Sequence, residues 1–182
     1  MKFANRKSVI LFSLFSVFVG INSLNAQKKD KLEKLKDDSK IAKSDFEKTD
    51  GMMNSLFKNA YGYVIFPNVG KGAIGIGGAA GNGIVFQDGD MIGKAKLAQL
   101  SIGFQWGGQA YREVIFFENK EAMDRFKENR LEFSAQASAV AATAGASANV
   151  KYANGVMIFT QTKGGLMYEA SIGGQKFKYT EF

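Results

Sequence analysis

Gly70-Lys71-Gly72-Ala73-Ile74-Gly75-Ile76-Gly77-Gly78-Ala79-Ala80-Gly81-Asn82-Gly83 is the stretch on which the fold turns. It follows the apolar run 61–66 and allows two readings. Gly70, Gly72 and Gly75 spell G-x-G-x-x-G, and Asp90 stands about twenty positions further on, the spacing of a dinucleotide-binding turn. Such a turn opens a helix, yet the residues that follow include Gly77, Gly78, Gly81 and Gly83, and each glycine inside a helix costs about 0.8–1 kcal/mol relative to alanine. The other reading is a sheet. Ile74 and Ile76 alternate with Gly75 and Gly77, a period of two that puts isoleucines on one face and bare backbone on the other. The sheet reading is adopted, with Gly70, Gly72, Gly75, Gly77 and Gly78 marking a bare strand face that takes either a close-packed neighbour or a ligand.

Composition narrows the function. The 182 residues suffice for one domain with a core. They include no cysteine and no histidine, which removes thiol nucleophiles, disulfides, Cys/His zinc sites and histidine acid–base chemistry. One proline, 21 glycines and 16 phenylalanines describe a folded, β-leaning chain. No enzyme, cofactor or metal is expected. Glu113, Glu118 and Asp124 are acids of the central strands and helix, and nothing in the sequence pairs them in one cleft.

Lys2, Arg6 and Lys7 precede an uncharged run from residue 8 to about 21, and a cleavage point fits after Ala26. Residues 1–26 are read as a secretory signal; the run is short for the ~20 residues of a membrane span. Their removal takes three basic groups and no acid, so the formal charge falls from +7 to +4. The chain is expected to be exported, periplasmic or peripheral to the cell envelope, with no nucleic-acid partner.

In chain order, 27–48 reads as a mostly solvated charged helix with a break near 37–39, and a second, amphipathic helix follows Thr49 or Asp50 with Met52, Met53, Leu56 and Phe57. The period then becomes two. Strands are expected at 61–66, ending at Pro67; at 72–80; at 83–87, after an Asn82-Gly83 turn; at 94–107; and at 110–118. A helix capped by Asn119 runs to Arg130. In 133–149 alanine favours helix and the surrounding alternation favours strand; strand is chosen, ending in a loop at 145–149, and strands follow at 152–162, 165–172 and 175–179, the last two as a hairpin. The fold class is therefore α+β: an antiparallel, Gly-rich sheet, sandwich- or barrel-like, with N-terminal helices and one inserted helix. The division is a leader (1–26), a helical segment (27–60) and a β-rich core (61–182), the last two forming one domain.

The order of pieces carries a resemblance. Tyr63-Val64-Ile65-Phe66-Pro67, the Gly-rich strand, Gly81-Asn82-Gly83-Ile84-Val85, Gly103-Phe104-Gln105-Trp106-Gly107-Gly108-Gln109, Val114-Ile115-Phe116-Phe117, Gly164-Gly165-Leu166 and Ile172-Gly173-Gly174 succeed one another as in the SYLF domain. The chain resembles that family over about residues 30–182. The resemblance implies binding of phosphoinositide or other anionic lipid, with actin binding in some eukaryotic members. The chain departs from the family pattern at Met91-Ile92-Gly93-Lys94-Ala95-Lys96 and at Ala144-Gly145-Ala146-Ser147. Lys71, Lys94, Lys96 and Lys151 are the candidate contacts for lipid phosphates, and the glycine face is a candidate seat for an acyl chain or headgroup. The expected partner is an anionic lipid or membrane surface. The competing reading is a structural or protein-interaction module of the envelope.

Overall fold

The computed structural model describes residues 6–74, 76–101, 109–133, 138–163 and 169–182. Two compact units are distinguished, Met1–Lys36 and Asp37–Phe182. Helix α1 (Arg6–Thr49) is helical through 37–39, without the expected break. No helix among the described residues is long and apolar enough to cross a membrane. The second unit contains α2 (Met53–Asn59), β1 (Gly62–Ile74), β2 (Ile76–Gln87), β3 (Asp90–Ser101), β4 (Gln109–Phe117), α3 (Lys120–Lys127), β5 (Ser138–Ala141), β6 (Val156–Thr162), β7 (Glu169–Ser171) and β8 (Gln175–Glu181).

The strands form one eight-stranded sheet in the order β7-β5-β6-β4-β1-β2-β3-β8. All pairs are antiparallel except β5 with β6. The class is α+β as expected, but the architecture is neither a two-sheet sandwich nor a closed barrel. It is nevertheless strongly curved. In a flat sheet, seven strand spacings of about 4.8 Å would set the edges roughly 34 Å apart. The link from Ser171 of β7 to Gln175 of β8 spans at most about 14 Å, so the edges must be rolled toward each other. The expected 165–172/175–179 hairpin is thereby corrected: β7 and β8 are neighbours in sequence but sit on opposite edges.

The glycine stretch is a hairpin. β1 and β2 pair from Gly62↔Gln87 to Ile74↔Ile76, so the chain reverses around Gly75, which lies outside the described residues. Asn82 and Gly83 lie within β2, opposite Asn68 and next to Ile65's partner Ile84, and make no turn. Pro67 does not end its strand either. Proline lacks an N–H for the ladder and is tolerated inside a sheet at a bulge, and the register of β1 shifts between Ile65 and Asn68 against β2 and between Phe66 and Val69 against β4. The bulge crowds β2. A Cβ on Gly83 would stand 2.6 Å from the Ile65 carbonyl oxygen, and one on Gly81 3.0 Å from that of Asn68. These two glycines are small because β1 bulges over them.

Alternation sorts the side chains into two layers. Val64, Phe66, Val85, Leu97, Ile115, Phe117, Ile158 and Phe177 form the inner core, on which α3 buries Ala122, Met123 and Phe126. Asn119 caps α3, its side chain accepting from Ala122 N at 3.0 Å. On the outer face, Phe57 of α2 meets Tyr63 and Phe116 edge-on at 5.0 and 4.9 Å, and Tyr63 stacks on Phe86. The end of α1 is tied to the same face, where Arg112 pairs with Asp45 at 2.7 Å and Gln161 donates to Thr49 Oγ1 at 2.6 Å. Of residues 133–149, expected as a strand ending in a loop at 145–149, the described ones contain the short β5 and a 3-10 turn at Ala146–Asn149, while 134–137 lie outside the described residues. Alanine and serine give a strand too little apolar surface to hold.

Asp50, between α1 and α2, does not cap α2 by its side chain in the ordinary way. It is 2% exposed, and its Oδ2 accepts from Ser147 N and Oγ at 2.8 and 2.7 Å while Oδ1 accepts from Met52 N. Burial alone would raise its pKa; hydrogen bonds from Ser147, Met52 and Gly145 outweigh it and hold the carboxyl below the usual range.

Two stability predictions follow from this geometry. Gly83→Ala should cost about 1–3 kcal/mol in urea unfolding, whereas Gly70→Ala, whose Cβ would meet nothing within 4 Å, should change stability by less than about 0.5 kcal/mol. Because the folded pKa of Asp50 is depressed, its contribution is complete above the unfolded pKa and is lost as pH falls through the folded one. Asp50→Ala should cost about 2–3 kcal/mol at neutral pH and flatten the acid limb of the stability-versus-pH curve measured by urea unfolding.

Candidate functional site

The helices cover the outer face over β1, β4 and β6, and beyond them the outer face of β3 and of the edge strand β8 is exposed. Along β3 the inward residues Ala95, Leu97 and Gln99 are buried, and Lys94, Lys96 and Ala98 are exposed between them. β8 repeats the pattern, with Gln175 and Phe177 buried and Lys176, Lys178 and Thr180 exposed. The register sets Lys94 opposite Thr180, Lys96 opposite Lys178 and Ala98 opposite Lys176. Directly opposite residues share a face, with Cβ atoms about 4.5–5.5 Å apart. β2 extends two rows, Asn82 beside Lys96 and Ala80 beside Ala98, both exposed.

The result is a face of four lysines flanked by alanine, asparagine and threonine. None of the four forms an ion pair among the described residues. This differs from the charged residues of α1 and α3, where Lys36–Glu33, Lys40–Asp37, Lys43–Glu47 and Lys120–Asp124 pair at helical spacing. Like charges directly opposite on a ladder are destabilising, so Lys96 and Lys178 oppose the fold to a small degree.

Of the residues expected from sequence, Lys94 and Lys96 belong to this face. Lys71 lies in β1 with its backbone opposite Ala79 and Gln109. Lys151 is exposed before β6 and lines a different cleft, with Arg125 and Arg130. The four candidate lysines are thus not one site. The candidate glycines share the β1–β2 hairpin: Gly70 and Gly72 are in β1, Gly77 and Gly78 in β2, opposite Ala80, Gly78, Ala73 and Gly72, so that Gly72 and Gly78 face each other, and Gly75 lies outside the described residues. Lys176 and Lys178 were missed as contacts. Their signal was the alternation Lys176-Phe177-Lys178, legible as a strand, but its pairing with β3 was not.

The interior of the curved sheet is polar at one place. Glu113 is fully buried and accepts from Gln175 Nε2 at 3.0 Å, directly beside Thr160 in the ladder. Burial, with the Glu113 charge adding to it, pushes the Tyr111 phenol far up. Gln99 Nε2 donates to Gly173 O at 3.0 Å. These groups hold β8 and the β7–β8 link against the sheet's centre. Glu113, Glu118 and Asp124 form no shared constellation: Glu113 faces inward, Glu118 is exposed, and Asp124 pairs with Lys120. Among the described residues no cluster of His, Cys, Asp and Glu could hold a metal ion.

Residues 98–180, from the second half of β3 into β8, match the family described as Ysc84, Las17-binding protein actin regulator. This segment thus matches the SYLF family that the sequence resembles. It is also similar to Beta cell expansion factor A of Aeromonas veronii, 30% identical over 125 residues, which are 67% of this chain and 47% of that protein. The chain thus spans about half the length of that curated relative. Within the SYLF match fall Lys176 and Lys178 but not Lys94 and Lys96, so the lysine face straddles the start of the matched segment.

If the lysine face is electrostatically frustrated, Lys178→Glu should raise stability by about 0.2–1 kcal/mol. Urea unfolding at low salt should show the gain, and it should shrink in 1 M salt.

Proposed function

We propose that the protein is an exported, non-enzymatic lipid-binding module of the cell envelope, docking on anionic phospholipid headgroups through the β3–β8 face. The observation that carries this reading is the set of Lys94, Lys96, Lys176 and Lys178, exposed on one face of two paired strands without ion-pair partners among the described residues. Two paired strands set the ammonium groups side by side on one face, where several phosphates can be met at once. Each lysine near an anionic bilayer surface contributes about 1 kcal/mol. The match of residues 98–180 to the SYLF family supports a binding role. The N-terminal stretch, with Lys2, Arg6 and Lys7 before an uncharged run, supports export.

The family description names a Las17-binding actin regulator, which favours a second reading, a protein-interaction module. That reading requires no preference for lipid charge. Co-sedimentation separates the two. The protein should pellet with vesicles containing phosphatidylglycerol and not with phosphatidylcholine alone, and it should be released as salt rises past about 0.1 M, where the screening length is about 10 Å. Reversing all four lysines to glutamate should weaken pelleting on the order of 10²- to 10³-fold. Equal pelleting with both vesicle types, or full pelleting of the fourfold variant, overturns the lipid reading.

A further inference from the structure

Away from the lysine face, the segment after α3 borders a cleft of about 490 Å³. The chain leaves α3 through Asn129, at φ +59°, and Arg130 N donates to Arg125 O at 2.7 Å. This turn sends Leu131 and Phe133 inward, where they face Ile158 of β6 and Ile172 of the β7–β8 link across the cleft. Leu131, Ile158 and Ile172 are also members of the inner core, so the cleft floor is core surface. The volume falls within the ~300–1,000 Å³ of small-ligand sites, which are apolar with a few placed polar groups.

The polar groups here are mainly cationic. Arg125, Arg130 and Lys151 line the cleft with a single acid, Glu132. Lys151 has no ion-pair partner among the described residues, and Arg130 holds only the exposed Glu128, an exchangeable contact. Arg125 donates through Nη2 to the Asn154 carbonyl oxygen, yet its Nε is buried with no hydrogen-bond partner among the described residues. A buried, unpartnered guanidinium nitrogen is costly unless something completes it. Together the three cations lining the cleft favour an anionic oxygen there.

We infer that this cleft binds a single-chain anionic amphiphile, its carboxylate or phosphate head at Arg125, Arg130 and Lys151 and its tail against Leu131, Phe133, Ile158 and Ile172. Two head chemistries, a fatty acid and a lysophospholipid, satisfy the same cations. The site shares no residue with the β3–β8 face, so it stands or falls independently of the docking reading.

The test is calorimetric titration of the purified protein, below the micelle concentration, with straight-chain carboxylates of increasing length, lysophosphatidate and a neutral alkyl maltoside. One-to-one binding of an anionic amphiphile is expected, tightening about fourfold per added methylene until the cleft is full. The preferred head, carboxylate or phosphate, identifies the source. Arg130→Ala with Lys151→Ala should weaken binding about tenfold. Ala153→Trp, at an exposed cleft-lining position, should abolish it, with the melting curve of each variant confirming the fold. Lysine-to-glutamate changes on β3 and β8 should leave it unchanged. The inference is overturned if the maltoside binds as tightly as the anions, if no anion binds, or if folded Ala153→Trp binds like the parent.

Discussion

Pro67 sits in the middle of the sheet, and much of the architecture follows from accommodating it there. β1 has β2 on one side and β4 on the other, so a missing N–H has no solvent to face. The strand answers with a bulge that shifts register against both neighbours. A bulge bends its strand and increases local twist. It also drives the Ile65 and Asn68 carbonyls over β2, and Gly83 and Gly81 supply the room. Gly81 and Gly83 are thus a response to crowding inside the sheet.

Curvature then decides which surfaces are available. A rolled sheet has an inside, and this one is filled by the Phe66, Phe117, Phe126 and Phe177 cluster under α3. It also has an outside too wide for two short helical segments to cover. The end of α1 and α2 take the aromatic rows Tyr63–Phe86 and Phe116–Phe159. The uncovered remainder is β3 and β8, where the exposed positions from Lys94 to Ala98 and from Lys176 to Thr180 are lysine, alanine and threonine instead of phenylalanine. Lysine on an edge strand also discourages pairing with a second sheet, but β3 is covered by β8 on that side and its lysines have no such duty.

Local features were legible where one interaction decides them. Asn119 followed by a helix, the alternation of β3, and the buried run Val114-Ile115-Phe116-Phe117 appear as expected. Asn82-Gly83 misled because its turn preference is worth less than the long bulged ladder from Gly62 to Ile74. Pro67 misled in the same way, since a bulge is invisible without the neighbouring strands. The grouping of site lysines failed for a topological reason: β8 is adjacent in sequence to β7 but hydrogen-bonds to β3, 76 to 88 residues upstream, and no local pattern encodes a sheet rolled far enough to permit it.

What makes that distant pairing specific is polar and buried. Gln175 begins β8, and its side-chain amide donates to Glu113 on the central strand β4, while Gln99 at the other end of the same ladder row holds the Gly173 carbonyl. A carboxylate buried with hydrogen-bond partners contributes little net stability, but leaving it unpartnered is costly. Slipping β8 by one residue would remove Gln175 from Glu113 and turn Phe177 outward. It would also send Lys176 and Lys178 into the core. The acid at the centre of the fold therefore has a positional role: by fixing where β8 starts, it fixes which side chains reach the surface beside Lys94 and Lys96.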